Sequence, residues 1–113
     1  MSKLQSYQPI LTLSIATTTD IPVARFVEAT GRLCRAGVKS IGVSEIESIN
    51  GELVPIITIG TALVMANGNI SVGMDVISDA NGNAIPYESG SSINGVALSS
   101  AIAGEYVKVL LRP

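Results

Sequence analysis

Hydrophobic and polar residues alternate along this chain in short runs, which is the period of half-buried β-strands rather than of helices. The run Ile10–Ala16 alternates throughout, and Tyr106–Leu111 places Val107 and Val109 on one face. Ser99–Ala103 is predicted to form at most one helical turn. Further strands are predicted at Val23–Ala29, Val38–Ser44, Leu53–Ile59, Thr61–Ala66, Ile70–Ser78 and Ala84–Tyr87.

Asn-Gly dipeptides separate several of these runs and are the strongest local signal in the chain. Asn-Gly suits the two positive-φ positions of a type I′ turn, whose twist matches that of antiparallel strands. An antiparallel meander is therefore predicted, with a positive φ at most of the four glycines concerned, which are Gly51, Gly68, Gly82 and Gly95.

One long segment of the chain occurs twice. Gly42–Thr58 and Gly95–Leu111 align without a gap, 53 positions apart, and are identical at six positions. These are Gly42-Val43, Ile49, Gly51-Glu52 and Val54 in the first copy and Gly95-Val96, Ile102, Gly104-Glu105 and Val107 in the second. In both copies a Gly-Glu pair, Gly51-Glu52 or Gly104-Glu105, ends a turn and opens a β-rich run. A fixed spacing of this kind indicates a duplicated supersecondary unit. We expect the two copies to superpose, with Val54 and Val107 both facing the core.

The repeat extends toward the N-terminus. Glu28–Gly31 precedes the first copy much as Asp79–Gly82 precedes the second, after a two-residue difference in length. These features predict an all-β fold, a small antiparallel barrel or sandwich built from two related β-units. Residues 1–9 are predicted to form a flexible arm, and residues 10–113 a single β-rich domain.

Composition points to a protein that contacts partners. Apolar residues make up 47% of the 113-residue chain and charged residues only 14%, so some apolar surface is expected to meet a partner, such as further copies of the chain. The net charge of −2 argues against nucleic-acid binding. The longest uncharged stretch, Leu53–Met74, is interrupted by Pro55 and several glycines, and no membrane span is expected.

The charges are unevenly distributed along the chain. Gly42–Val107 contains seven carboxylates and neither lysine nor arginine. This asymmetry indicates either two solvated faces or complementary patches that meet between neighbouring subunits. Four of the seven positive charges lie together earlier in the chain, at Arg25, Arg32, Arg35 and Lys39.

Catalytic chemistry is poorly supplied. The chain has no histidine, so neither a Ser-His nor a Cys-His nucleophile pair can form. Glu52 and Glu105 are the alternative acid–base pair, but their position after a glycine fits a turn-closing role better. The single cysteine, Cys34, is predicted to be a buried thiol. The acidic run from Asp75 fails the spacing of a calcium loop, and neither a metal nor another cofactor is expected.

The order of short motifs from Phe26 to Leu111 resembles the capsid cement or decoration proteins of tailed bacteriophages. The resemblance implies a small β-rich virion protein without catalytic residues, made in the bacterial cytoplasm. It further implies binding to the outside of the assembled capsid, commonly as a homotrimer, with the major capsid protein as partner. The matching motifs are Ala36-Gly37, Gly42-Val43, Gly51-Glu52, Gly60, Val72 to Asp75, Asp79 to Gly82, Gly95 to Leu98 and Ala103 to Leu111.

The first residues of the chain lie outside this resemblance. Arms at this end contact the capsid in some decoration proteins, so the N-terminal segment is the candidate contact site, with Lys3, Leu4, Tyr7, Pro9 and Ile10 as its contact residues. Two other classes remain open: a carbohydrate- or receptor-binding module of a phage tail or fibre, and a hydrolase that uses only carboxylates.

Overall fold

The structure, a computed structural model, describes residues 8–112. This part of the chain contains strands and turns but no helix, and Ser99–Ala103 does not form a helical turn. The all-β prediction is confirmed. The eight strands are β1 (Pro9–Ala16), β2 (Phe26–Val27), β3 (Gly42–Ser44), β4 (Leu53–Met65), β5 (Asp75–Ser78), β6 (Ala84–Pro86), β7 (Gly95–Ala97) and β8 (Tyr106–Leu111).

The strands form one antiparallel sheet in the order β2-β3-β4-β8-β7-β5-β6, and β1 pairs with β4 beside this path. The sheet curls until its two ends approach each other. There, the Phe26 N–H of β2 donates to the carbonyl oxygen of Gly82, in the turn between β5 and β6, at 2.8 Å. The result is a nearly closed barrel. Neighbouring strands are paired throughout by backbone hydrogen bonds, which satisfies polar groups that the fold buries.

The central strand, β4, is 13 residues long. The sequence predicted two strands there, separated at Gly60. The structure corrects this prediction, since Gly60 lies within β4 and adopts a φ of 111°. A side chain at Gly60 would collide with the Gln8 carbonyl oxygen. Glycine is therefore needed where the start of β1 approaches β4, and it bends the strand without ending it.

The predicted duplication is present in the strand pairing. In β3–β4 Val43 lies opposite Ile57, and in β7–β8 Val96 lies opposite Leu110. Each residue of the second pair lies 53 positions after its counterpart in the first pair. The strands themselves begin 53 positions apart in each case, β3 against β7 and β4 against β8.

The earlier strands repeat as well, but with an offset of 49 positions. Ile15 of β1 pairs with Val54 as Val64 of β4 pairs with Val107. The second half of β4 is therefore the counterpart of β1. We call residues 8–59 the first unit and residues 60–112 the second unit, and we call residues at matching positions twins.

One hairpin accounts for the change of offset. In the first unit the Glu28 N–H donates to the Arg32 carbonyl oxygen, and in the second the Asp79 N–H donates to that of Asn83, each at 2.9 Å. These turns are 51 positions apart, as the sequence suggested. The second hairpin is two residues longer in each arm, and its arms are β5 and β6.

Two hydrophobic clusters form the core. The smaller one belongs to the first unit and contains Ile21, Val27, Val54 and Ile56. The larger one joins both units, since Phe26 and the buried residues of β3 and β4 contribute to it together with the second unit. Val54 and Val107 are 2% and 0% exposed, which confirms that both face the core.

Three predicted strands are shorter than expected. Val23–Ala29 shrinks to β2, because Ala24 takes a positive φ of 60° that extended chain does not allow. Val38–Ser44 shrinks to β3. Ile70–Ser78 shrinks to β5, and Val72 is 63% exposed.

Candidate functional site

The predicted contact residues fall into two groups. Lys3, Leu4 and Tyr7 lie outside the residues that the structure describes. Pro9 and Ile10 are the first two residues of β1. Pro9, the last residue of the predicted arm, is thus anchored in the sheet.

This anchor is formed by backbone and side-chain hydrogen bonds to β4. The Gln8 N–H donates to the Thr61 hydroxyl at 2.6 Å, and the Gln8 carbonyl oxygen accepts from the Thr61 N–H at 3.0 Å. Pro9 lies opposite Gly60. Gln8 and Pro9, the last two residues of the predicted arm, are therefore fixed to β4.

Strand β1 is unusually exposed for a strand that alternates in sequence. Ile15 alone is half-buried, and the other seven residues of β1 are exposed. Ile10 is 77% exposed, and Leu11 and Leu13 are 41% and 39% exposed. Within residues 8–112, β1 pairs only with β4. Its second edge and much of its apolar surface face outward, which is the typical state of a surface that binds another chain.

The two Gly-Glu turns have the same closed geometry. Gly51 and Gly104 have φ values of 94° and 91°. The Glu52 carboxylate accepts from the Ile49 N–H at 2.8 Å. In the twin turn, the Glu105 carboxylate accepts a hydrogen bond from the Ile102 N–H at 3.0 Å. Both carboxylates hold a turn, as the sequence suggested.

These two turns also present large apolar side chains. Ile49 is 63% exposed and its twin Ile102 58% exposed, while Leu53 and its twin Tyr106 are 70% and 43% exposed. The turns lie at opposite ends of the long strand β4. Exposed apolar side chains therefore lie beside each end of β4.

The Asn-Gly prediction holds at only two of the four positions. Gly51 and Gly82 have positive φ values of 94° and 73°, whereas Gly68 and Gly95 do not have a positive φ. Gly68 lies in a bend. Gly95 is the first residue of β7, so the hairpin predicted there is wrong. A side chain at Gly95 would collide with Val109, which shows that this glycine permits close strand packing.

An ion pair that sequence reasoning missed fixes the first hairpin. Glu28 is only 4% exposed. Its carboxylate accepts from the Arg35 side chain at 2.9 and 3.0 Å and from the Arg35 N–H at 3.0 Å. The hydrogen bond from Arg35 lowers the pKa of Glu28, against the opposing effect of burial. A lone carboxylate within the basic segment from Arg25 to Lys39 was the available signal.

The second hairpin is held by Asp79 instead. Its carboxylate accepts from the Asn81 and Asn83 N–H groups at 2.8 and 2.9 Å and from the Asn67 side chain at 2.8 Å. Burial raises the pKa of Asp79, but these hydrogen bonds outweigh it and the pKa is lowered. The Asp79 carboxylate therefore closes a hairpin turn.

Other reactive groups lie apart from one another. Cys34 is buried, and burial raises the pKa of its thiol. Within residues 8–112, no three carboxylate or thiol side chains cluster as metal ligands would. The same residues include no helix that is long and apolar enough to cross a membrane.

A known protein structure has a fold similar to that of this chain. The N base of the head fiber gp8.5 of bacteriophage phi29, a crystal structure, is similar in fold, with a TM-score of 0.74 and 17% sequence identity. The similarity covers 90% of this chain and 93% of that one. No curated protein matches the chain in sequence.

The family comparison covers almost the whole sequence. Residues 4–113 match the phage cement protein family, which is the resemblance that the motif order from Phe26 to Leu111 suggested. The match also includes β1 and part of the predicted arm. The chain therefore belongs to the phage cement protein family.

Proposed function

We propose that this protein binds the outside of an assembled phage capsid and stabilises it, with the major capsid protein as its partner. Copies assemble as a homotrimer, are made in the bacterial cytoplasm, and end in the virion. The observation that carries this proposal is the match of residues 4–113 to the phage cement protein family.

The exposed strand β1 supports a contact role for the N-terminal segment. Ile10 and Leu11 at the start of this strand expose apolar side chains that a neighbouring chain could cover. The remainder of the predicted arm, residues 1–7, precedes this strand directly in the sequence, so we expect it to contact the same partner. Leu4 and Tyr7 would supply apolar anchors in this contact, and Lys3 would contribute less, because buried apolar side chains dominate binding energy.

The role is structural rather than enzymatic. The chain has no histidine, and the two glutamates that could have served as acid and base are engaged in turns. Glu52 bonds to the Ile49 N–H, and Glu105 bonds to the Ile102 N–H. Stabilising a shell requires buried contact area and not a reactive group.

Sedimentation with capsids tests the proposal. Expanded heads of the host phage that lack this protein are mixed with the intact chain or with a variant that lacks Met1–Tyr7. We expect the intact chain to pellet with the heads and the shortened one to bind at least tenfold more weakly. A Lys3→Ala variant is the matched control and should bind almost normally.

Two results would contradict parts of this proposal. Equal binding by the intact and shortened chains would remove the arm from the contact surface. If neither chain binds, while both remain folded by circular dichroism, the capsid-binding role itself is wrong.

A further inference from the structure

The two units of the chain meet in a junction with defined contacts. The outer edge of the second half of β4 is covered by the first unit, where the Met65 N–H donates to the Ala24 carbonyl oxygen at 2.9 Å. Val23 and Ala24 line one cavity together with Leu63 and Tyr106. The segment around Ala24 thus covers the first strand of the next unit.

The first strand of the first unit lacks this cover within residues 8–112. Strand β1 is the counterpart of the covered part of β4. Ala62 and Val64, which face the core from β4, are 0% exposed, whereas Leu13, the twin of Ala62, is 39% exposed. The Thr17 N–H donates to the Glu52 carbonyl oxygen. Since alternate residues of an antiparallel strand turn their N–H groups to opposite edges, the Ala16 N–H points to the free edge.

The matching segment of the second unit also covers no strand within residues 8–112. Its residues 72–75 are the twins of 23–26, and all four are exposed. Val72 is 63% exposed and Met74 39% exposed, while Ala24 in the junction is 5% exposed and Phe26 0% exposed. Among residues 8–112, one strand is therefore uncovered at one end and one covering segment is free at the other.

We propose that these two open ends bind each other between copies of the chain. Residues 72–75 of one copy cover β1 of the next, in the way that residues 23–26 cover β4 within a copy. The Ala16 N–H of one copy donates to the Gly73 carbonyl oxygen of its neighbour, as Met65 donates to Ala24. Val72 packs beside Leu53, the twin of Tyr106.

One position in the new contact differs chemically from its twin. The second unit has Asp75 at the position where the first unit has the buried Phe26. The Phe26 N–H donates to the carbonyl oxygen of Gly82, in the turn of the second hairpin. The matching turn of the first unit ends at Gly31, and the next residue, Arg32, has a side chain that is 42% exposed. Asp75 of one copy therefore meets a cation of its neighbour. This pairing joins the acidic and basic parts of the sequence between subunits.

The contact is head-to-tail, because each copy contributes a different surface to each side. Contacts of this type close into a ring when the rotation between copies allows it and otherwise extend into a filament. This inference rests on the duplicated fold and does not depend on capsid binding. It is tested on the purified protein alone.

The test uses two exposed positions, one on each open end. Val72→Asp damages the covering segment, and Leu53→Asp damages the covered surface. Ile102→Asp, at an equally exposed isoleucine outside the proposed contact, is the matched control. Oligomeric mass is measured by light scattering during gel filtration, for each variant alone and for a one-to-one mixture of the first two.

The mixture separates this proposal from other modes of association. We expect the wild type and Ile102→Asp to be oligomers and the two other variants to be monomers. In the mixture one intact junction can still form, between Leu53 of one variant and Val72 of the other, so a dimer with one copy of each should appear. A monomeric wild type, two variants that remain oligomeric, or a mixture that stays monomeric would each overturn the proposal.

Discussion

Ala24 and Gly73 occupy the same position in the two structural units and share a backbone conformation that is rare outside glycine. Their φ values are 60° and 91°. The Ala24 N–H donates to the Ser44 carbonyl oxygen at 3.0 Å, and the Gly73 N–H donates to that of Ala97 at 2.8 Å. The duplication has therefore kept the backbone path even where the side chain has changed.

Substitutions at Gly104 and Gly95 should separate the cost of a positive φ from the cost of a packing collision. At Gly104 a side chain would meet open space, so Gly104→Ala carries only the cost of a positive φ, about 1 kcal/mol. At Gly95 a side chain would collide with Val109 and with the Leu110 carbonyl oxygen. Gly95→Ala should therefore cost more, about 2 to 3 kcal/mol. Chemical denaturation measures both free energies of unfolding, and equal costs would contradict the packing role of Gly95.

Valine truncations test the equivalence of the two units. Val54→Ala and Val107→Ala should each destabilise the fold by about 1 to 3 kcal/mol, because both side chains are buried. Val72→Ala is the control, since this side chain is 63% exposed and a change there should stay within about 0.5 kcal/mol. A negligible effect at Val54 would show that the core of the first unit is not needed for stability.

The duplication could be detected in the sequence only in part. Gly42 to Val54 matches its counterpart with a constant offset, and the predicted register was correct. The first strands match with an offset of 49, and Thr12 and Ile21 are identical to Thr61 and Ile70. A single-offset comparison misses these matches, because the longer second hairpin shifts the alignment.

The sequence predicted the buried face of a strand better than it predicted the type of a turn. The alternation in β8 was predicted correctly, since Val107 and Val109 are both fully buried. At Asn94-Gly95 the sequence pattern of a hairpin turn is present, but tertiary packing draws the dipeptide into the barrel, where Asn94 is 1% exposed. The Asn94 side chain accepts from the Ser40 N–H at 3.0 Å. Local propensity cannot reveal such a contact between distant segments.

The ion pair of Glu28 predicts how stability depends on pH. The pKa of Glu28 in the folded protein is lowered by Arg35 from its ordinary value of 4.5. A lowered folded pKa gives stability that is present above the unfolded pKa and is lost as pH falls through the folded one. Between pH 7 and pH 3 the wild type should therefore lose more stability than Glu28→Gln.

The matched control for this experiment is Glu47→Gln, which changes an exposed carboxylate. Its pH dependence should follow that of the wild type. Urea denaturation at several pH values gives the three curves. Identical curves for the wild type and Glu28→Gln would show that the ion pair with Arg35 does not stabilise the fold.

The heat stability of phage heads tests the central claim most directly. DNA-filled heads that lack this protein are heated with and without the purified chain, and DNA release is followed with a dye that cannot enter intact heads. Heads that already carry the protein serve as the control and should gain nothing. A capsid-stabilising protein predicts that added chain raises the temperature of DNA release to that of the control heads. An unchanged release temperature, on heads to which the protein has bound, would contradict a stabilising role.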